Sequence, residues 1–384
     1  MAAGLAGTLT HFRIAPDRLS PLADFTAGVI RDNHPGLKVP LHARWRHFSV
    51  DGRDLWAEIR ARRDWPDRFS RARAEFDLAI VSVLLDAGAG AHWRYADAAT
   101  GVTLGRSEGL ALASLRMFES GLFSADPRDP LRADAAKLAA LTASDLTAGF
   151  QVTADNPLAG LAGRATLLQR LGETISNNPA IFAAQNTPRP CGLFDTLASA
   201  THVSVPDILH ALLVHLGPIW PGRLRLGGIS LGDTWRHRVI RRHDATDGLV
   251  PLHKLSQWLA YSLVEPLISA GIDVAGLDGL TGLAEYRNGG LFVDGDVLVL
   301  RDPPAASRPN AVDSELVVEW RALTVALLDM LAPLVRERLG VTAQAFPLGC
   351  LLEGGTWSAG RLLARRRRSD GTPPIRVDSD GTVF

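Results

Sequence analysis

The sequence predicts a mainly α-helical fold with a few short strands. Three observations lead there. Apolar residues recur at spacings of three and four through several long stretches, as on one face of a helix. Strand signals are few and short. Hydrophobic residues make up 46% of the 384 residues, enough for a large buried core. One helical domain over 1–384 accounts for the pattern, with an N-terminal subdomain over 1–125 as the alternative division.

The elements follow in order. Residues 74–85 form an apolar helical run that ends at Asp86. Ser107 and Glu108 open a second helix, which stops at Gly121. The spacing predicts further helices over 158–174 and 205–216, the latter stopped by Gly217-Pro218. Leu255, Trp258, Leu259, Leu263 and Leu267 mark a helix over 254–270, kinked near its end by Pro266. Trp320, Leu323, Leu327, Leu328 and Leu331 mark another over 316–334. Aliphatic residues around Asp294-Gly295 predict a hairpin within 290–300, and 376–384 reads as extended. Loops are expected at 186–192, 218–232 and 303–310, none long enough to serve as a flexible linker.

Composition excludes several classes. Lys+Arg 41 balances Asp+Glu 41, which disfavours non-specific binding to nucleic acid. Cys191 and Cys350 are the only cysteines, which argues for a reducing compartment and against a disulfide framework or cysteine-ligated zinc. The apolar start lacks a basic leader, and no uncharged apolar run reaches about 18 residues. The expectation is a cytoplasmic protein with no membrane span.

The candidate chemistry lies in scattered polar clusters. Arg44, Arg46 and His47 flank Trp45 and could hold a phosphate or stack on a base; a surface turn with one buried tryptophan is the alternative. Asp86 is either a helix cap or a site residue. Glu108, just inside a helix start, suits the dipole there and reads first as a capping element. Asp233 sits in a glycine turn, where aspartate commonly caps. His237, His243 and Asp244 match no strong metal spacing, so no metal and no cofactor is expected. Lys254 and Gln257 share one face at a helix start, where a lysine can meet a phosphate. Tyr286, Arg287 and the glycines after Asn288 allow close approach of backbone to a ligand. Glu319 and Arg321 lie inside an apolar helix and must be paired or face a polar pocket. Arg365 to Arg368 read as a solvated helix end. No Walker loop, Rossmann fingerprint or Ser–His–Asp elbow is present; Gly105 to Gly109 only superficially matches the elbow pattern, without its strand.

Seven stretches together resemble a family: PLHARWRHF at 40–48, RSEGLALASLRMF at 106–118, RPCGLF at 189–194, GLVPLHKLSQ at 248–257, GLTGLAEYRNGGL at 279–291, SELVVEWRALTVALLD at 314–329 and EGGTWSAGR at 353–361. They look like the uracil-catabolism (Urc/Urg) family of unassigned chemistry, over nearly the whole chain. Cys191 stands where that pattern has glycine, which argues against a nucleophilic role. The resemblance implies a pathway in which uracil becomes a nucleotide, a cyclohydrolase-like partner opens the ring, and urea is released. A fainter similarity joins Asp233, Lys254 with Gln257, Tyr286 with Arg287, and Glu319 with Arg321 to the queuosine salvage family. Those proteins are all-helical, resemble DNA glycosylases of helix-hairpin-helix architecture, and hydrolyse the N-glycosidic bond of a nucleoside 5′-monophosphate. Glu285 replaces the aspartate of that family, and Asn288-Gly289-Gly290 replaces its Val-Pro-Gln.

These resemblances imply hydrolysis of the N-glycosidic bond of a ring-opened uracil nucleotide, ribosylurea 5-phosphate or a close precursor. A fixed carboxylate would stabilise the oxocarbenium-like transition state, a role given to Asp233. Glu108, Asp86 or Tyr286 would assist departure of urea. Lys254, Arg287 and the Arg44, Arg46 and His47 cluster would hold the phosphate. A non-catalytic partner of the cyclohydrolase-like enzyme, binding the opened nucleotide, is the alternative.

Overall fold

The structure is a computed structural model that describes residues 1–90, 92–184, 187–378 and 382. Residue 186 of the expected 186–192 loop, and residues 379–381 and 383–384 of the expected extended tail, lie outside the described residues. The fold is mainly helical, and its strands are two or three residues long. The chain divides into two compact units, each assembled from separate segments. The first comprises Met1–His42, Asp233–Gln257 and Leu277–Asp378, and the second is built on Ala43–Gly232 and Trp258–Gly276. Neither has a border at residue 125.

The first unit is organised on helix Glu315–Leu339. Ser314 caps its start by accepting from Val317 N, and Gly340 closes it at φ 70. The helix runs past its expected end at 334 with Pro333 inside it. Burial of Leu331, Ala332 and Val335 around that proline holds the turn that local propensity would break. Helices Leu19–Asn33 and Tyr286–Asp294 pack on this helix, and Ser358–Arg367 packs on Tyr286–Asp294. Strand Phe12–Ile14 pairs antiparallel with Leu298–Leu300.

The expected hairpin within 290–300 is replaced by the end of a helix and that single strand. Asp294-Gly295 terminates the helix, with Gly295 N donating to Leu291 O at 2.9 Å. Gly289 sits inside the helix because a Cβ there would stand 2.7 Å from the Trp320 ring. Close packing, not a turn, explains the glycine pair. The four arginines at 365–368 are not simply solvated. Arg368 forms two bonds to Asp294, at 2.8 and 2.6 Å, and Arg367 reaches Asp296 at 2.9 Å.

In the second unit, helices Arg68–Leu84 and Arg106–Glu119 pack on one another and on the 3-10 turn Arg44–Phe48. Helix Leu161–Ser176 crosses Ala135–Ala139 at Gly172, where a Cβ would stand 2.4 Å from Ala135 O and Ala139 N. Val205–His215 is capped by Ser204. Asp77, fully buried, accepts from Arg189 Nε and Nη2, Ala133 N and Cys191 N, so the RPCGLF stretch is a structural anchor. Burial and the neighbouring Asp77 carboxylate push the Cys191 thiol well up.

No helix among the described residues is long and apolar enough to cross a membrane.

Candidate functional site

The predicted site residues fall into two groups, one in each unit. In the first unit, strand Thr234–Arg236 pairs with Leu249–Pro251 and brings Asp233 to the start of helix Lys254–Ser269. The Asp233 carboxylate accepts from Lys254 N at 2.9 Å and from Trp235 Nε1 at 2.6 Å. Arg321 Nη1 and Nη2 donate to its two oxygens at 2.7 and 2.8 Å. Two donors therefore serve each oxygen, which fills the carboxylate's acceptor positions. Burial alone would raise its pKa; the Arg321 guanidinium and these hydrogen bonds more than offset that and bring it to about 2.

Arg321 also donates through Nε to Ala284 O at 3.2 Å. The next residue, Glu285, caps helix Tyr286–Asp294, accepting from Arg287 N at 2.7 Å and Asn288 N at 2.5 Å. Burial pushes the Glu285 carboxyl up, against the opposing pull of those amides, the Lys254 ammonium and His42. One arginine thus holds the Asp233 carboxylate and the backbone next to Glu285, and the environments of these two buried carboxyl groups drive them in opposite directions.

A third pair completes this group. His42 Nδ1 lies 2.6 Å from Glu353 Oε2. Glu353 occupies the π-helical turn Leu352–Trp357, a distortion that recurs at functional sites. Gly354 and Gly355 let this turn lie against Val39 and Ile30, where Cβ atoms would stand 2.9 and 3.0 Å away. His253 adopts φ 47, and burial lowers its pKa, against the pull of the Asp233 carboxylate. Its Nδ1 has no hydrogen-bond partner among the described residues.

The remaining expected residues of this unit have other partners. Gln257 Oε1 accepts from Thr281 N at 3.3 Å. Glu319 Oε1 accepts from His11 N and Phe12 N at 3.1 and 2.8 Å, so it anchors the first strand. Val239 N donates to His237 Nδ1, which leaves Nε2 to donate to Glu319 at 3.1 Å. Asp244 instead accepts from Thr246. Among the described residues no group of three or more His, Cys, Asp or Glu is arranged to hold a metal ion. Arg287 donates to Gly371 O at 3.0 Å and lies over the Tyr286 ring.

The second unit gathers Arg44, Asp86 and Glu108. Arg44 Nη1 is 3.3 Å from Asp86 Oδ1, and its Nε donates to Ser82 Oγ at 2.6 Å. Ser107 Oγ donates to Asp86 Oδ2 at 3.0 Å. Burial lowers the Arg44 pKa, opposed by Asp86 and Glu108. Arg164, also fully buried, donates to Leu85 O, Ala87 O and Gly88 O and so clamps the segment bearing Asp86. Burial brings its pKa to about 10. Arg46 pairs with Glu265, and the His47 ring stands edge-on to Trp258 at 5.4 Å. The Arg44–Phe48 segment is mostly buried and is not a surface turn.

Sequence reasoning passed over His42, His253, Glu285, Glu353 and Arg164 as site residues. His42, His253, Glu285 and Glu353 lie inside four of the seven stretches, which is the one signal that marked them.

A family model described as "Protein of unknown function (DUF1688)" matches residues 1–384. "Protein urg3" of Schizosaccharomyces pombe is 41% identical over 385 residues, covering 98% of this chain and 93% of the relative. "Uracil catabolism protein 4" of Lachancea kluyveri is 38% identical over 416 residues, with the same coverage of 98% and 93%. With the match spanning every segment that builds both groups, the chain belongs to the DUF1688 family.

Proposed function

We propose that this chain acts in uracil catabolism and hydrolyses the N-glycosidic bond of a ring-opened uracil nucleotide, ribosylurea 5-phosphate or a close precursor. The products are urea and ribose 5-phosphate. The pathway rests on the name of one relative. The reaction rests on a single observation: Asp233 and Glu285 share the Arg321 frame, one carboxyl brought down to about 2 and the other pushed up. Two carboxyl groups in opposed environments are how one site holds both an anion and a proton donor at neutral pH.

Glu285 takes the reacting role. As the C1′–N bond breaks, its electron pair stays on nitrogen, and Glu285 supplies the proton that lets urea leave neutral. Water adds to the electron-poor C1′, and His42, oriented by Glu353 through Nδ1, takes the water's proton. Asp233, with its acceptor positions filled and its charge balanced by Arg321, frames the site rather than facing the sugar as a free carboxylate.

The test is urea release from ribosylurea 5-phosphate by the purified chain. Glu285→Gln keeps the size and one acceptor of the cap, and its rate should fall at least about 100-fold with thermal stability retained. Absence of turnover by the wild-type chain counts against the hydrolase. The filled acceptor shell of Asp233 favours one other function, a non-catalytic partner that binds the opened nucleotide beside the cyclohydrolase-like enzyme. Tight binding of the compound without urea release identifies it.

A further inference from the structure

We infer that the Arg44–Asp86 centre of the second unit binds a ureido group, the carbamoylated nitrogen at the end of an opened pyrimidine. Arg44 is fully buried, yet its Nη1 and Nη2 have no hydrogen-bond partner among the described residues. Asp86 Oδ1 is also buried without one; it and Nη1, 3.3 Å apart, form an ion pair that lacks hydrogen-bond alignment. Buried polar atoms are nearly always bonded, so this set marks a place for a partner from outside the chain.

The neighbours define what remains open. Ser82 already takes Arg44 Nε, and Ser107 already serves Asp86 Oδ2. The open positions are guanidinium N–H donors beside one carboxylate acceptor, with Glu108 close enough to act on the charge of Arg44. A phosphate offers acceptors and is repelled by Asp86 and Glu108. A second cation offers donors and is repelled by Arg44 and Arg164. A neutral group with a carbonyl edge and an N–H edge satisfies both sides. Its carbonyl accepts from Arg44, and its N–H donates to Asp86 Oδ1. The centre is walled by Phe48 and Trp258, whose rings lie 5.8 and 5.5 Å from the guanidinium carbon, which suits a small planar group. Arg44 is thereby moved from the expected phosphate cluster to recognition of a ureido group.

The choice of ureido among amide-like groups rests on the proposed reaction, so the test reads binding and not turnover. The full chain is titrated by ligand-detected NMR with N-methylurea, tetramethylurea and inorganic phosphate. N-methylurea should bind, and tetramethylurea, which has no N–H, and phosphate should bind at least about 10-fold more weakly. Asp86→Asn, compared at matched thermal stability, should weaken N-methylurea by a similar factor. Three results overturn the site: no N-methylurea binding, as when internal water alone fills the centre; equal binding of both ureas; or preference for phosphate. The wild-type series decides even if the variant fails to fold. A chain that binds N-methylurea but releases no urea from ribosylurea 5-phosphate keeps this site and loses the hydrolase.

Discussion

Arg321 donates to both oxygens of Asp233 and to the carbonyl before Glu285, so one side chain ties the Asp233 carboxylate to the backbone that carries Glu285. Asp233→Ala leaves a buried guanidinium without its anion and should cost about 3–5 kcal/mol, measured by guanidinium chloride unfolding. Loss of turnover in that variant would report the fold as much as the chemistry, which is why Glu285→Gln is the sharper probe. The two groups also predict opposite pH responses. The folded pKa of Asp233 lies below its usual value, so its contribution is present above about pH 4 and lost as pH falls towards about 2; by linkage it is on the order of 2 kcal/mol. Comparing acid unfolding of the wild type with Asp233→Asn measures it. Glu285 is raised, so its contribution is complete below the unfolded pKa and lost as pH climbs through the folded one. As proton donor it should also give turnover an alkaline limb, which Glu285→Gln removes. The sequence made Glu319 and Arg321 legible because charges inside an apolar helix demand partners. It could not name those partners: Glu319 accepts from Phe12 N across 307 positions and Arg321 pairs with Asp233 across 88, and only the folded chain brings them together.

Periodicity located the long helices but missed the first six residues of Arg68–Leu84 and the last five of Glu315–Leu339, and packing decides where it fails. The Asp294-Gly295 pair has the chemistry of a hairpin turn, but Leu291, Phe292 and the Gly289 contact with Trp320 bury the preceding segment as a helix. Helix Leu19–Asn33 was passed over, although Leu22, Thr26, Val29 and Ile30 give it a buried face. Backbone proximity, invisible in a one-dimensional pattern, gives the next expected outcome. Gly172→Ala places a methyl 2.4 Å from backbone atoms of Ala135 and Ala139, which cannot rotate away as a side chain would. It should destabilise the second unit by about 1–3 kcal/mol, read from thermal unfolding. Gly28→Ala, with nothing within 4 Å of the added carbon, is the matched control and should leave the midpoint unchanged or slightly raised.

At the scale of the molecule, equal numbers of acidic and basic residues leave no net field to draw in a polyanion. The chain should pass through a duplex-DNA column at low salt, and retention released by salt would argue for a nucleic-acid substrate. The segment plan has a consequence for how the protein is made. A ribosome delivers residues 43–232 as one uninterrupted stretch, but strand Phe12–Ile14 must wait for Leu298–Leu300 to emerge. That strand is therefore secured only after the segment that pairs with it has been made, and its edge stays unpaired in the interval.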